Sequence, residues 1–126
     1  MKLQGLIPML ETPDLRRTID FYTRVLGFEL QATWPAAGDP TWCRLVSGQA
    51  VLMFMTREEE LPPAAPAITG QLYLYPPDVD GLWRELSGRV EVVSPLLNWD
   101  HGVREFQIRD CNGYVLRFGA EAAAGS

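Results

Sequence analysis

Hydrophobic and polar positions alternate along this chain in a scheme that switches between strand and helix periods. Residues 5–11 predict a strand. Asp14 follows as a helix N-cap, its carboxylate placed to accept the first-turn N–H groups. Leu15, Ile19, Tyr22 and Leu26 then recur at spacings of 4, 3 and 4, which is one helical face. Gly27 stands where a left-handed C-terminal cap is needed. Residues 28–34 predict a second strand and 35–40 a turn-rich loop. Residues 42–46 and 50–56 flank Ser47-Gly48-Gln49, a hairpin signal. The first half therefore reads β-α-β-β-β.

The same scheme returns 64 residues later. Pro13-Asp14 recurs as Pro77-Asp78, Val51-Leu52-Met53-Phe54 as Val115-Leu116-Arg117-Phe118, and Leu10 as Leu74. One constant offset at both ends of each half marks a structural unit present twice, and paired units create a groove on their pseudo-twofold axis. Residues 71–75 predict a strand, and Asp78 caps a helix with Val79, Leu82 and Leu86 on one face, ended by Gly88. A strand follows at 90–93. Strands at 103–109 and 114–119 flank Asp110-Cys111-Asn112-Gly113, where Asn-Gly supplies positive φ cheaply. The loop 94–102 holds Pro95, Trp99 and the only histidine, His101. Residues 57–70 break the pattern: Glu58-Glu59-Glu60, a solvated run, and Pro62, Pro63 and Pro66 predict a stiff, extended linker. The expected organisation is one domain over 1–126, with module 1 at about 4–56, the linker at 57–70, module 2 at about 71–119 and a fraying tail at 120–126.

Composition narrows the function classes. The 126 residues are 47% apolar and 21% charged, ordinary for a globular protein. The net charge of −5 divides evenly, with 6 basic and 8 acidic groups in residues 1–64 and 5 and 8 in residues 65–126. No basic face emerges, so no nucleic-acid partner is expected. Cys43 and Cys111 are too few for a disulfide framework and fit no zinc spacing. Cys43 reads as a buried small hydrophobe. The start of the chain has no signal-peptide pattern, and the densest apolar run, 51–55, is too short to cross a bilayer. No membrane association and a cytoplasmic location are the expectation.

His101-Gly-Val-Arg-Glu-Phe-Gln-Ile-Arg-Asp-Cys-Asn-Gly-Tyr-Val-Leu-Arg-Phe-Gly119 resembles the last hairpin of the vicinal oxygen chelate superfamily. Glyoxalase I, extradiol dioxygenases, fosfomycin-resistance proteins and bleomycin-binding proteins belong to that group. Ile7-Pro-Met-Leu10 and the stretch from Asp14 through Asp20-Phe21-Tyr22 to Leu26-Gly27-Phe28 are similar to its first strand and helix. The Arg104-Glu105-Phe106 segment with Arg109-Asp110 and Gly113 looks closest to the bleomycin-binding branch. Cys111 departs from the family's usual proline. The resemblance implies an α+β fold: two βαβββ modules in tandem, forming curled mixed sheets around a cup, with helices on the outer faces. It also places the family's four metal-ligand positions at Ile7, Met53, Gln71 and Arg117, and the 64-residue offset relates them in pairs.

Those four residues argue against a metal. Divalent zinc, nickel, iron or manganese needs imidazole, carboxylate or thiolate ligands. Ile7 has no donor, the Met53 thioether is soft and weak, Gln71 offers one oxygen, and Arg117 is a permanent cation. No metal, no cofactor and no catalytic residue are expected. Strand alternation puts Ile7, Met9, Glu11, Met53, Met55, Gln71, Tyr73, Tyr75, Arg117 and, with less regularity, Trp42 on the cup side. Leu6, Leu10, Leu52, Phe54, Leu72, Leu74, Leu116 and Phe118 fall on the opposite, core side. The phase of 103–109 stays open: the offset pairs Phe106 with Trp42, whereas alternation makes Phe106 and Ile108 core.

Thioethers, aromatic faces with hydroxyls and a few charges suit a planar organic ligand. The candidate ligand-binding residues are Ile7, Trp42, Met53, Met55, Gln71, Tyr73, Trp99 and Arg117. Competing structural readings are core filling for Met53 and Met55, an Arg117–Glu11 ion pair across the cup, a dimer seal at Trp34 and Trp42, packing by Trp99, and a loop hydrogen-bonding role for His101. The expected function is metal-independent binding of a small organic molecule by a homodimer. Bleomycin-type sequestration, an antibiotic-resistance activity, is the leading form, with acidic groups meeting the drug's cationic tail. The alternative is a glyoxalase-like lyase or dioxygenase-type metalloenzyme with an atypical site; a sensor module for an unknown metabolite is a third reading.

Overall fold

The computed structural model describes residues 1–57, 65–99 and 102–121, without the side chain of residue 121. Linker residues 58–64, including the Glu58–Glu60 run, together with His101 and the far tail, lie outside the described residues. The chain divides into two compact units, 1–66 and 67–126. The units repeat one α+β plan, each with a four-stranded mixed sheet and a helix.

In the first unit, β1 (Met9–Thr12), α1 (Leu15–Asp20), β2 (Glu29–Trp34), β3 (Trp42–Ser47) and β4 (Ala50–Thr56) give the sheet order β1-β4-β3-β2. β1 pairs parallel with β4; the other pairs are antiparallel. β1 and β2 are thus opposite edges running the same way, so α1 has to cross one sheet face between them. Its start is fixed by hydroxyls and a carboxylate. Asp14 accepts from Arg17 N at 3.1 Å, and the buried Thr12 and Thr18 hydroxyls meet at 2.8 Å. The helical face continues past Asp20, but as a π turn over Phe21–Val25 rather than the regular α-helix that the 4-3-4 spacing predicts. Leu26 N donates to Phe21 O at 3.2 Å and Phe28 N to Tyr22 O at 2.8 Å, while Gly27 takes φ 76° to close the turn. That geometry sets fully buried Tyr22 against Phe54 and edge-on to Phe28, with ring centroids 5.0 and 5.4 Å apart. Cys43, Leu45 and Leu52 complete this core.

The second unit holds β5 (Leu72–Leu74), α2 (Val79–Leu86), β6 (Glu91–Asn98), β7 (Val103–Arg109) and β8 (Val115–Glu121), in the order β5-β8-β7-β6. Asp78 caps α2 through Gly81 N at 3.0 Å. Trp83 of α2 packs on Phe106, which stacks on Phe118, both at 5.2 Å between centroids. Asp110 ties the β7–β8 turn: its Oδ1 accepts from Asn112 N and Tyr114 N, both at 2.8 Å, and Gly113 takes φ 92°.

Three expectations need correction. β1 begins at Met9, so Ile7 precedes the strand, and Leu6 is 88% exposed rather than core. β6 continues to Asn98 through Pro95, which an edge strand tolerates because the missing N–H faces no neighbour. Register shifts between Val92 and Ser94 and between Ser94 and Leu97 absorb the irregularity. Finally, the β7–β8 turn is one residue longer than the β3–β4 turn. Leu45 pairs with Leu52, seven residues on, whereas Ile108 pairs with Leu116, eight on. The offset between β3 and β7 is therefore 63, and a one-residue slip exchanges the two faces. Phe106 and Ile108 are core, and Glu105 and Gln107 take the other side.

Candidate functional site

Register places the non-core face of each sheet residue by residue. In the first unit, one row reads Met9, Met53, Arg44 and the next Glu11, Met55, Trp42. In the second, the matching rows are Tyr73, Arg117, Gln107 and, beyond β5, Tyr75 followed by Gly119 and Glu105. The duplicated faces have diverged in chemistry. The first is dominated by thioethers and an indole, and the second by hydroxyl, carboxylate, amide and guanidinium groups.

In the first unit Met53, Met55 and Trp42 are half-buried and Met9 is 50% exposed. Glu11 accepts from Arg57 Nη1 at 2.9 Å, and Arg44 donates to Gln31. Ile7 is half-buried just outside the strand. Cys43 lies on the core side with no exposed surface, and burial pushes its thiol up to about 11.

The second unit has a polar centre. Glu105 is 1% exposed. Its Oε2 accepts from the Tyr73 hydroxyl at 2.6 Å and its Oε1 from Arg117 Nη1 at 3.0 Å. These three side chains come from β5, β7 and β8, and β8 runs between the other two. The Tyr73 ring crosses β8 at Gly119, where any Cβ would overlap its hydroxyl and approach Glu105 Cβ to 3.1 Å. The ring is 39% exposed, yet its hydroxyl end is tucked against the sheet. Desolvation there, then the Glu105 carboxylate, pushes the phenol up to about 12. Tyr73 therefore stays protonated and donates at every physiological pH. Tyr75 lies against it, 80% exposed, with ring centroids 5.0 Å apart. One row further, Gln71 Nε2 donates to Gln107 Oε1 at 3.3 Å. Trp99, 37% exposed, closes the β6–β7 connection through Trp99 N to Val103 O at 2.7 Å.

Of the sequence candidates, Gln71, Tyr73 and Arg117 share the open face of the second sheet, and Met53, Met55 and Trp42 share that of the first. Trp99 stands at a hairpin end. Against the Arg117–Glu11 reading, each side chain has a partner within its own unit: Arg117 pairs with Glu105 and Glu11 with Arg57. The two carboxylates nearest the candidate residues, Glu11 and Glu105, are thus engaged by arginines, while Glu29 on β2 stays exposed on the first face. Glu105, Gln107 and Gly119 were missed. The alternation of Phe106 and Ile108 was the signal for the first two. Arg104 of the bleomycin-like segment is held elsewhere, its Nε and Nη2 on the Asp80 carboxylate at 3.2 and 2.7 Å.

The family's metal positions do not fit a metal. Ile7 and Met53 offer one thioether in one unit. In the other, Gln71 is bonded to Gln107, and Arg117 carries a cation to the place where a ligand lone pair is needed. Among the described residues no three His, Cys, Asp or Glu side chains gather as a metal would require. No described helix is long and apolar enough to cross a membrane.

No curated protein matches the chain. Among solved structures, TioX from Micromonospora sp. ML1 is 25% identical, over 94% of this chain and 98% of that one, with a TM-score of 0.78. The bleomycin-binding protein of bleomycin-producing Streptomyces verticillus, solved with copper(II)-bleomycin, is 23% identical over 98% of both chains, TM-score 0.68. A glyoxalase/bleomycin resistance protein/dioxygenase from Nocardioides is 17% identical over 100% of this chain and 89% of that one, TM-score 0.75. The last two likenesses establish the fold alone. The family profile of the glyoxalase/bleomycin resistance protein/dioxygenase superfamily matches residues 8–118. With two repeated βαβββ units and a match spanning nearly its whole length, this chain belongs to that superfamily.

Proposed function

We propose that the protein binds a small organic molecule without a metal ion, and that it does so by stoichiometric capture rather than turnover. The carrying observation is the second-unit face: an exposed Tyr73–Tyr75 ring pair beside a guanidinium fixed by a buried carboxylate. Rings supply stacking surface, and the fixed polar groups orient the ligand. Ile7, Trp42, Met53 and Met55 in one unit, and Gln71, Tyr73, Trp99 and Arg117 in the other, are the proposed contacts. The thioethers adapt to irregular apolar shapes. A bleomycin-type antibiotic is the ligand to test first, supported by the fold shared with a bleomycin-binding protein.

We place the protein in the cytoplasm as a homodimer. Exposed apolar side chains on the edge strands support the dimer: Leu30 and Trp34 on β2, and Val92, Val93 and Leu97 on β6. Sedimentation at micromolar concentration reads the dimer directly. Tryptophan fluorescence titrated with metal-free and copper-loaded bleomycin tests the ligand, because Trp42 and Trp99 are proposed contacts. Unchanged emission at micromolar drug would sink the antibiotic form. Stoichiometric metal in protein purified without chelator would overturn the metal-independent form.

A further inference from the structure

We infer that the ligand carries an anionic oxygen beside a planar ring, that Arg117 holds that oxygen, and that Glu105 acts as the positioning residue for Arg117. This rests on the small-molecule reading above and names the class of molecule.

Two arginines of the same unit make the argument. Arg104 closes on Asp80 with the full fork, Nε and Nη2 both on one carboxylate. That is how a guanidinium is spent on neutralising an acid. Arg117 engages Glu105 through Nη1 alone, because the Tyr73 hydroxyl occupies the second carboxylate oxygen. Its Nε is buried without a hydrogen-bond partner among the described residues, while the side chain as a whole stays 29% exposed. That Nε is closed off, so a ligand oxygen has to meet the guanidinium through the part of the side chain that stays exposed, where a charge-assisted hydrogen bond remains to be made. A carboxylate is attracted to this cation; an ammonium group is repelled by it.

The latch is built to hold this guanidinium in place. Glu105 has almost no exposed surface and two donors, both reaching it from the β8 side of β7. Gly119 leaves the room that lets Tyr73 lie across β8. The Tyr73–Tyr75 rings then offer stacking surface beside the cation. Glu105 and Arg117 cancel in net charge, so the preference for an anionic oxygen rests on the hydrogen-bonding capacity that Arg117 still has beyond its single contact with Glu105.

Calorimetric titration with three ligands sharing one ring tests the inference: 2-naphthoate, 2-naphthamide and 2-naphthylmethylammonium. The acid is expected to bind about tenfold more tightly than the amide, the worth of one charge-assisted hydrogen bond, and the ammonium least of all. Glu105→Gln keeps an acceptor for Arg117 but removes the opposing charge, so acid binding strengthens by about threefold or more while amide binding is unchanged. Arg117→Gln makes acid and amide equal; if that variant does not fold, the ligand series and Glu105→Gln carry the test. Amide or ammonium binding as tight as the acid overturns the inference, as does an acid affinity that Glu105→Gln lowers or leaves alone. Failure of all three ligands also overturns it. Bleomycin quenching in the same preparation would then leave the small-molecule reading standing without an anion subsite, and its absence would remove both.

Discussion

Replacing Gly119 with alanine should destabilise the protein through one side chain, Tyr73. The position is in β8, and its φ lies outside the left-handed region, so the backbone accepts any residue. Alanine in a strand would ordinarily be neutral or mildly stabilising, since glycine gives up more chain entropy on folding. Here the added methyl overlaps the Tyr73 hydroxyl and lies 2.9 Å from ring carbon Cζ, so the ring must swing off β8. The swing breaks the 2.6 Å bond to Glu105 and leaves that buried carboxylate with Arg117 alone. A hydrogen bond to a charged group is worth about 1.5–3 kcal/mol, and the ring loses little burial because it is already 39% exposed. The expected cost is about 2 kcal/mol, or a fall in Tm of roughly 6–10 °C for a chain of this size. Urea denaturation followed by tryptophan fluorescence measures it. The decisive comparison is the same substitution in a Tyr73→Ala background, where the methyl meets no phenol and the added cost drops below about 0.5 kcal/mol. Equal costs in the two backgrounds would refute the reasoning.

Raising the pH tests the same latch from the proton's side. The Tyr73 phenol is pushed up to about 12, above its unfolded value near 10, so its contribution is intact below about pH 10 and is lost as pH climbs from there to 12. Ultraviolet titration should show one tyrosinate appearing near pH 12 that Tyr73→Phe abolishes. Asp110→Ala removes two 2.8 Å bonds to backbone N–H groups from a residue only 6% exposed, and should cost about 2–3 kcal/mol in thermal unfolding followed by circular dichroism. With its thiol near 11 and no exposed surface, Cys43 should resist a disulfide reagent at pH 8 in the native state. The half-buried Cys111 should react, and urea should raise the count to two thiols.

The plan of each unit was legible because its signals are local. The Asp14 and Asp78 caps, Gly27 and the Asn112-Gly113 turn each act within a few residues, and the structure forms all of them. The constant offset likewise predicted the equivalence of β1 with β5 and β4 with β8. Legibility stopped where a single turn residue was added. The longer β7–β8 turn left the core phase of β7 ambiguous, and Glu105 disappeared from view with it. The competing structural reading of Arg117 therefore pairs it with Glu11, because the carboxylate two residues from its ladder partner has no assigned face. Pro95 misled in the other direction: it reads as a breaker, but on an edge strand no neighbour needs its N–H. Gly119 carried no signal at all. Its role depends on a tyrosine from a different strand, which only three-dimensional placement supplies.

The parallel pairing of β1 with β4 also bears on how the chain is made. Met9 finds its partner in Met53, and Tyr73 finds its own in Arg117, so in each half the first strand synthesised is matched by the last. A nascent half can form its hairpin and helix from contacts close in sequence, but its opening strand stays unregistered until the closing strand has emerged. Each half is therefore finished by a single late event at one edge of its sheet. In the second half that event also sets Arg117 beside Tyr73, so closure of the sheet and assembly of the polar centre are one step.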